Sequence, residues 1–148
     1  MIRIPFLDPL KPDEFPPVGE ALREPDGLLA AGGDLRPERL LAAYRRGIFP
    51  WYSRGQPILW WSPDPRTVYA TGRMHVPRRL ARWLPACAWT LRADTSFDAV
   101  VRACAAPRPR QRGTWIDASM RKAYLELHER GHAHSIEVWD GKNLVGGI

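Results

Sequence analysis

Four stretches of the chain carry the apolar spacing and punctuation of helices, and four shorter ones read as strands. Pro37 to Arg46 opens on a proline in the first turn, gathers Leu40, Leu41 and Tyr44 on one face and stops at Gly47. Pro77 to Leu84 is a short amphipathic helix, its Leu80, Trp83 and Leu84 stripe flanked by Arg78, Arg79 and Arg82. Thr95 is the expected N-cap of a helix running to about Ala105. Asp117 is that of a helix from about Ala118 to Arg130, which Gly131 ends. Thr67 to Ala70, Trp89 to Arg92 and Ser135 to Trp139 read as strands, and Asp140-Gly141 as a hairpin turn into a partner starting at Asn143. Residues 1–33 are expected to be an irregular lead-in ending in the turn-rich Ala30-Ala31-Gly32-Gly33-Asp34. The chain ends inside the last strand, where a sheet edge would stand uncapped, so the sequence is expected to be incomplete relative to its family.

Between the first helix and the second, residues 47–66 break both periodicities. Trp51, Trp60, Trp61, Phe49 and Tyr52 stand among Pro50, Pro57, Pro63 and Pro65. The run is too proline-broken for a helix and too aromatic for a solvated loop. Stiffly held rings either fill a core or offer stacking faces to a ligand. Trp60 and Trp61, between Ile58-Leu59 and a Ser-Pro-Asp-Pro turn, read as packing residues, whereas Trp51 after the Phe49-Pro50 step reads as ligand-facing.

Charge is segregated along the chain. Residues 65–112 hold ten arginines against Asp94 and Asp98, while the flanking thirds are each close to neutral. A basic surplus made of arginine suits bidentate contact with a polyanion, although a solvated basic face is the plain alternative. Trp115, in Gly113-Thr114-Trp115-Ile116, follows the exposed basic loop Pro107 to Arg112, so a π-face and cations lie close together. As an isolated segment it reads rather as an ordinary core tryptophan.

Other chemistries fit less well. His128-Glu129-Arg130-Gly131-His132 matches the zinc-protease pattern, with His134 as a conceivable further ligand. Gly131 falls inside it, however, so the second histidine leaves the helical face the metal would need, and the histidines read as shaping a helix-to-strand turn. Gly32-Gly33-Asp34 lacks phosphate-loop spacing. Cys87 and Cys104 sit among alanines as expected small buried thiols, pointing to a reducing, cytoplasmic setting. No segment has the apolar length of a membrane span or a signal peptide.

Several long motifs carry a resemblance. Glu20 to Ala30 (EALREPDGLLA), Gly32-Gly33-Asp34-Leu35, Arg46 to Trp51 (RGIFPW), Pro57 to Arg66 (PILWWSPDPR), Gly113 to Ile116 (GTWI) and Gly131 to Trp139 (GHAHSIEVW) resemble leucyl/phenylalanyl-tRNA–protein transferases. The likeness runs from about Phe15 to Ile148. It implies an α+β fold: a small N-terminal α/β domain with its linkage over residues 1–62, then the first part of a GNAT-like acetyltransferase domain over 63–148, cut short. It implies a cytoplasmic, monomeric aminoacyltransferase without a cofactor or metal. The enzyme would move leucine or phenylalanine, and less well methionine, from aminoacyl-tRNA to an N-terminal arginine or lysine of an acceptor protein, marking it for N-end-rule degradation.

The resemblance implies that Trp51 and Trp115 hold the 3′-terminal aminoacyl-adenosine, and that Arg78, Arg79 and Arg82 contact the acceptor stem. It puts the catalytic residues beyond Ile148, so the chain alone is expected to be inactive or impaired. A non-catalytic tRNA-binding fragment is the alternative.

Overall fold

The computed structural model describes residues 4–107 and 113–148, so Arg108, Arg110 and Arg112 of the expected basic loop lie outside the described residues. The fold is α+β, with two sheets among the described residues. The first contains β1 (Phe6–Leu7), β2 (Leu28–Gly32), β3 (Phe49–Pro50) and β4 (Leu59–Trp61), ordered β1-β2-β4-β3. β1 runs parallel to β2, and β2–β4 and β3–β4 are antiparallel. The lead-in is therefore not irregular: its Leu28-Leu29-Ala30-Ala31 run is the most buried strand of the sheet. A strand covered on both faces has no polar alternation to betray it, and the glycines that follow disguise it as a turn.

Gly27 makes the start of that strand possible. It has φ +85°, and an added Cβ would lie 2.5 Å from the Pro63 backbone, while its carbonyl accepts from the Ser62 amide at 2.7 Å.

Helix α1 (Pro37–Tyr44) packs Leu40 and Ala43 onto this sheet. It also buries Arg39 completely, with Nη2 donating to the Asp8 carbonyl at 2.6 Å and Nε 3.5 Å from Asp34. The second sheet, β5 (Thr90–Ala93), β6 (Ile136–Asp140) and β7 (Asn143–Gly147), is antiparallel throughout in that order. Its hairpin loop is Gly141-Lys142, one residue later than the expected turn, because Asp140 pairs with Asn143.

Helices α3 (Phe97–Ala105) and α4 (Ala118–Glu129) lie against each other. Arg121 on α4 makes a two-pronged ion pair with Asp98 on α3 at 2.7 and 2.9 Å. Ala123 and Leu127 of α4 join the same buried cluster as Leu29, Leu40 and Trp60, so one helix serves both parts of the chain. Asp117 caps α4 as expected, accepting from the Met120 amide at 2.8 Å.

Three local expectations fail. Thr67 to Ala70 is no strand: Val68 and Tyr69 are exposed and nothing among the described residues pairs with them, and β propensity without a ladder partner builds no strand. Thr95 is not the cap of α3. Its hydroxyl donates to Glu137, and Ser96 takes the cap position. Cys87 is half-buried and Cys104 exposed: the latter shares the face of Phe97, Val100 and Val101 but stands near the C-terminal end of α3. The second helix, α2 (Arg78–Trp83), forms as expected and is exposed throughout. Among the described residues no helix is long and apolar enough to cross a membrane.

Candidate functional site

The aromatic run divides into one buried ring and one presented ring. Trp60 on β4 has no exposed surface; Phe15 meets it edge-on at 5.0 Å, and its indole Nε1 donates to the Gly32 carbonyl at 2.9 Å. Trp51 follows β3, where its amide donates to the Leu59 carbonyl at 2.9 Å and its own carbonyl accepts from Trp61 Nε1 at 2.6 Å. Its backbone is thus held from both sides while its ring, tilted against Trp61 at 6.1 Å, remains 56% exposed. A large ring kept in water by a fixed backbone is the arrangement expected of a stacking face.

The next residue points the other way. Tyr52 is buried, and its hydroxyl donates to both carboxylate oxygens of Asp117 at 3.3 Å. Burial and the adjacent Asp117 charge push this phenol up to about 12. Asp117 is also the cap of α4 and stands two residues after Trp115, so one carboxylate ties the Trp51 segment to the Trp115 segment.

Trp115 is half-buried and meets Tyr124 of α4 edge-on at 6.3 Å. The Tyr124 hydroxyl is paired with that of Tyr44, from the end of α1, at 2.8 Å. Beside Tyr124 lies a mostly apolar cavity of about 220 Å³, lined by Phe97, Val100, Val101, Ile116, Tyr124 and Ala133 together with Cys104, His134, Ser135 and Ile148.

Beneath the cavity rim, Glu137 of β6 is fully buried. Burial alone would raise its carboxyl, but four donors outweigh that and hold it down at about 2. They are the Thr95 hydroxyl, the Ser96 amide at 2.6 Å, the Ser135 hydroxyl at 2.9 Å and the Trp139 indole at 3.0 Å.

Arg78, Arg79 and Arg82 lie on the exposed α2. Among the described residues they form no ion pair, and no hydrogen bond joins α2 to either tryptophan segment. Tyr52 and Asp117 do bring Trp51 and Trp115 into one assembly, but the arginines stand apart from it. The histidine motif does not form a metal site. α4 ends at Glu129, and the His128 ring lies flat on Phe97 at 4.1 Å with Nδ1 against the Ala133 carbonyl at 2.8 Å. His132 is exposed beyond the helix, and His134 Nδ1 pairs with Asp94 at 2.8 Å. Among the described residues no three His, Cys, Asp or Glu side chains are grouped to hold a metal.

Sequence reasoning overlooked Tyr52 and read Asp117 as a cap alone. A tyrosine next to a presented tryptophan, two residues after Pro50 in a stiff run, was the available signal.

Two family models match the chain. The leucyl/phenylalanyl-tRNA protein transferase model covers residues 68–148, and the model of that family's N-terminal domain covers 33–64. A protein of Xanthomonas campestris pv. campestris (strain B100) named leucyl/phenylalanyl-tRNA--protein transferase is 63% identical over 142 residues, spanning 95% of this chain and 56% of its own length. Like-named proteins of Xylella fastidiosa (strain M23) and Xanthomonas axonopodis pv. citri (strain 306) are 62% and 60% identical, each over 59% of its own length. The chain thus spans little more than half the length of these curated relatives. It belongs to the leucyl/phenylalanyl-tRNA protein transferase family.

Proposed function

We propose that the chain supplies the donor-binding half of an aminoacyl-tRNA–protein transferase. Leucine or phenylalanine, and less well methionine, would pass from aminoacyl-tRNA to an N-terminal arginine or lysine, marking the acceptor for N-end-rule degradation in the cytoplasm. The carrying observation is the Tyr52–Asp117 contact, which couples the exposed Trp51 ring to the segment of Trp115. In this reading the two indoles hold the terminal adenosine. The cavity beside Tyr124, almost wholly apolar, suits a leucine or phenylalanine side chain and rejects a charged one. Arg78, Arg79 and Arg82 meet acceptor-stem phosphates as point contacts outside the adenosine site.

In the reaction, the acceptor α-amine attacks the ester carbonyl and the ribose oxygen leaves. The developing oxyanion needs donors, and we assign none of these to this chain. Residues 1–62 serve as the N-terminal domain and 63–148 as the start of a GNAT-like domain, acting as a monomer without a cofactor. The second reading is a tRNA-binding module without turnover.

The test is binding of a non-hydrolysable phenylalanyl-adenosine analogue to this chain by calorimetry, followed by transfer from Phe-tRNA to an arginine-started peptide. Trp51→Ala should weaken analogue binding by about 1–3 kcal/mol. Unaltered binding removes Trp51 from the site. Turnover by the 148-residue chain at the rate of a full-length relative removes the donor-half reading.

A further inference from the structure

Between Asp64 and Asp94 the chain carries six arginines and no acidic residue. Within this stretch α2 turns its apolar stripe outward. Leu80, Trp83, Leu84 and Trp89 are each between 43% and 51% exposed, far more apolar surface than a short helix normally leaves in water. Trp83 and Trp89 meet edge-to-face, with centroids 5.1 Å apart and planes at 79°, an arrangement that leaves ring faces open. Around them lies a groove of about 850 Å³, lined by Pro77, Arg79, Leu80, Arg82, Trp83 and Trp89, within the ~300–1,000 Å³ range of small-ligand sites. The adenosine reading uses neither tryptophan.

We propose that this groove is a second stacking site, which takes an unpaired nucleotide of the bound RNA with its base on the Trp83/Trp89 pair and its phosphate on Arg79 or Arg82. The choice of occupant follows from charge. An apolar protein segment seated here would have to desolvate or skirt two guanidinium groups that have no carboxylate partner among the described residues. A nucleotide satisfies both features at once, since every base offers a π-face and every linkage an anion. Arginine also stacks, so the groove tolerates any base. This rests on the reading that the chain handles the end of an RNA. It adds a grip that is independent of the terminal adenosine.

The experiment uses fluorescein-labelled hexanucleotides, one ending in adenosine and one all-pyrimidine, titrated with the 148-residue chain by fluorescence anisotropy. Trp83→Ala and Trp89→Ala should each weaken both probes roughly 5- to 150-fold. Trp83→Phe, which keeps a ring face, should recover most of that loss. Arg79→Gln with Arg82→Gln should flatten the salt dependence by about one unit of slope between about 50 and 200 mM salt. Trp51→Ala should affect the adenosine-ended probe alone. If both probes bind Trp83→Ala and Trp89→Ala as tightly as the unaltered chain, the proposal is overturned. It is equally overturned if sedimentation finds a dimer that Trp83→Ala dissolves while RNA is ignored; the groove then joins copies of the chain. If Trp83→Ala weakens both probes and Trp51→Ala neither, the groove stands and the adenosine reading falls.

Discussion

Replacing Glu137 by glutamine removes one charge and two lone pairs from a buried site that has four donors aimed into it. One carboxylate oxygen receives the Ser96 amide and the Ser135 hydroxyl, and the other receives the Thr95 hydroxyl and the Trp139 indole. Hydroxyls can turn and accept, but an amide N–H and an indole N–H cannot. Whichever way the glutamine amide is flipped, its NH₂ faces one obligate donor and leaves it unpaired, at about 1–3 kcal/mol. Linkage gives a second estimate. The folded-state value near 2 lies below an ordinary glutamate at 4.5, which corresponds to about 3 kcal/mol. That is a ceiling, because Thr95 is exposed, Trp139 is part-exposed and water screens the site.

A depressed carboxyl stabilises fully above its unfolded value, and the stabilisation is lost as pH falls through the folded one. The advantage of Glu137 over glutamine should therefore be about 2–3 kcal/mol at neutral pH and shrink by up to about 2 kcal/mol by roughly pH 3. Urea unfolding of both chains at the two pH values measures this, and groups common to both cancel. An equal gap at both pH values, or one under about 0.5 kcal/mol at neutrality, would refute the assignment of Glu137 as an ionised hub joining α3 to the second sheet.

Three further outcomes follow from the site and core. Asp117→Ala deletes the α4 cap and orphans the Tyr52 hydroxyl, so it should cost about 1–2 kcal/mol in thermal melts and weaken phenylalanyl-adenosine analogue binding although it touches neither ring. Tyr52→Phe removes the tie and keeps the cap; it should leave helix content by circular dichroism unchanged while lowering analogue affinity, and unchanged affinity means the tie does not position the site. Trp60→Ala should destabilise by about 3–5 kcal/mol, while Trp51→Ala, in the same aromatic run, should change the unfolding free energy from urea melts by less than about 0.5 kcal/mol.

The parts of the fold legible in the sequence are those with local causes. The α4 cap, the glycine stop after α1 and the short α2 are each set by residues within one turn of themselves. Trp60 as core and Trp51 as presented ring were legible too, since their flanking residues differ in kind. What stayed hidden depends on distant partners. β2 is a strand because β1 and β4 flank it, and Arg39 is buried because Asp8 and Asp34 come to it. Glu137 stands at an interior position of β6 where a hydrophobe is the default, and only its four donors explain it. Thr67-Val68-Tyr69 shows the converse: strong local preference with no neighbour to satisfy it.

The placement of α4 explains how the segments of Trp51 and Trp115, sixty-four positions apart in the chain, are tied together. Asp117 at its start holds Tyr52, Tyr124 in its middle meets Trp115 and the Tyr44 hydroxyl, and Arg130 just past its end binds Glu38 of α1 at 2.8 Å. Ala123 and Leu127 seat its inner face in the core under the first sheet. Rotation or fraying of this one helix would move both rings relative to each other, whereas α2, which shares none of these contacts, can shift without disturbing them. On the proposed reading, the half-site for a terminal nucleotide would be rigid where the base is held and loosely attached where the phosphates are met. That division suits a ligand whose end must be positioned closely and whose stem varies in sequence.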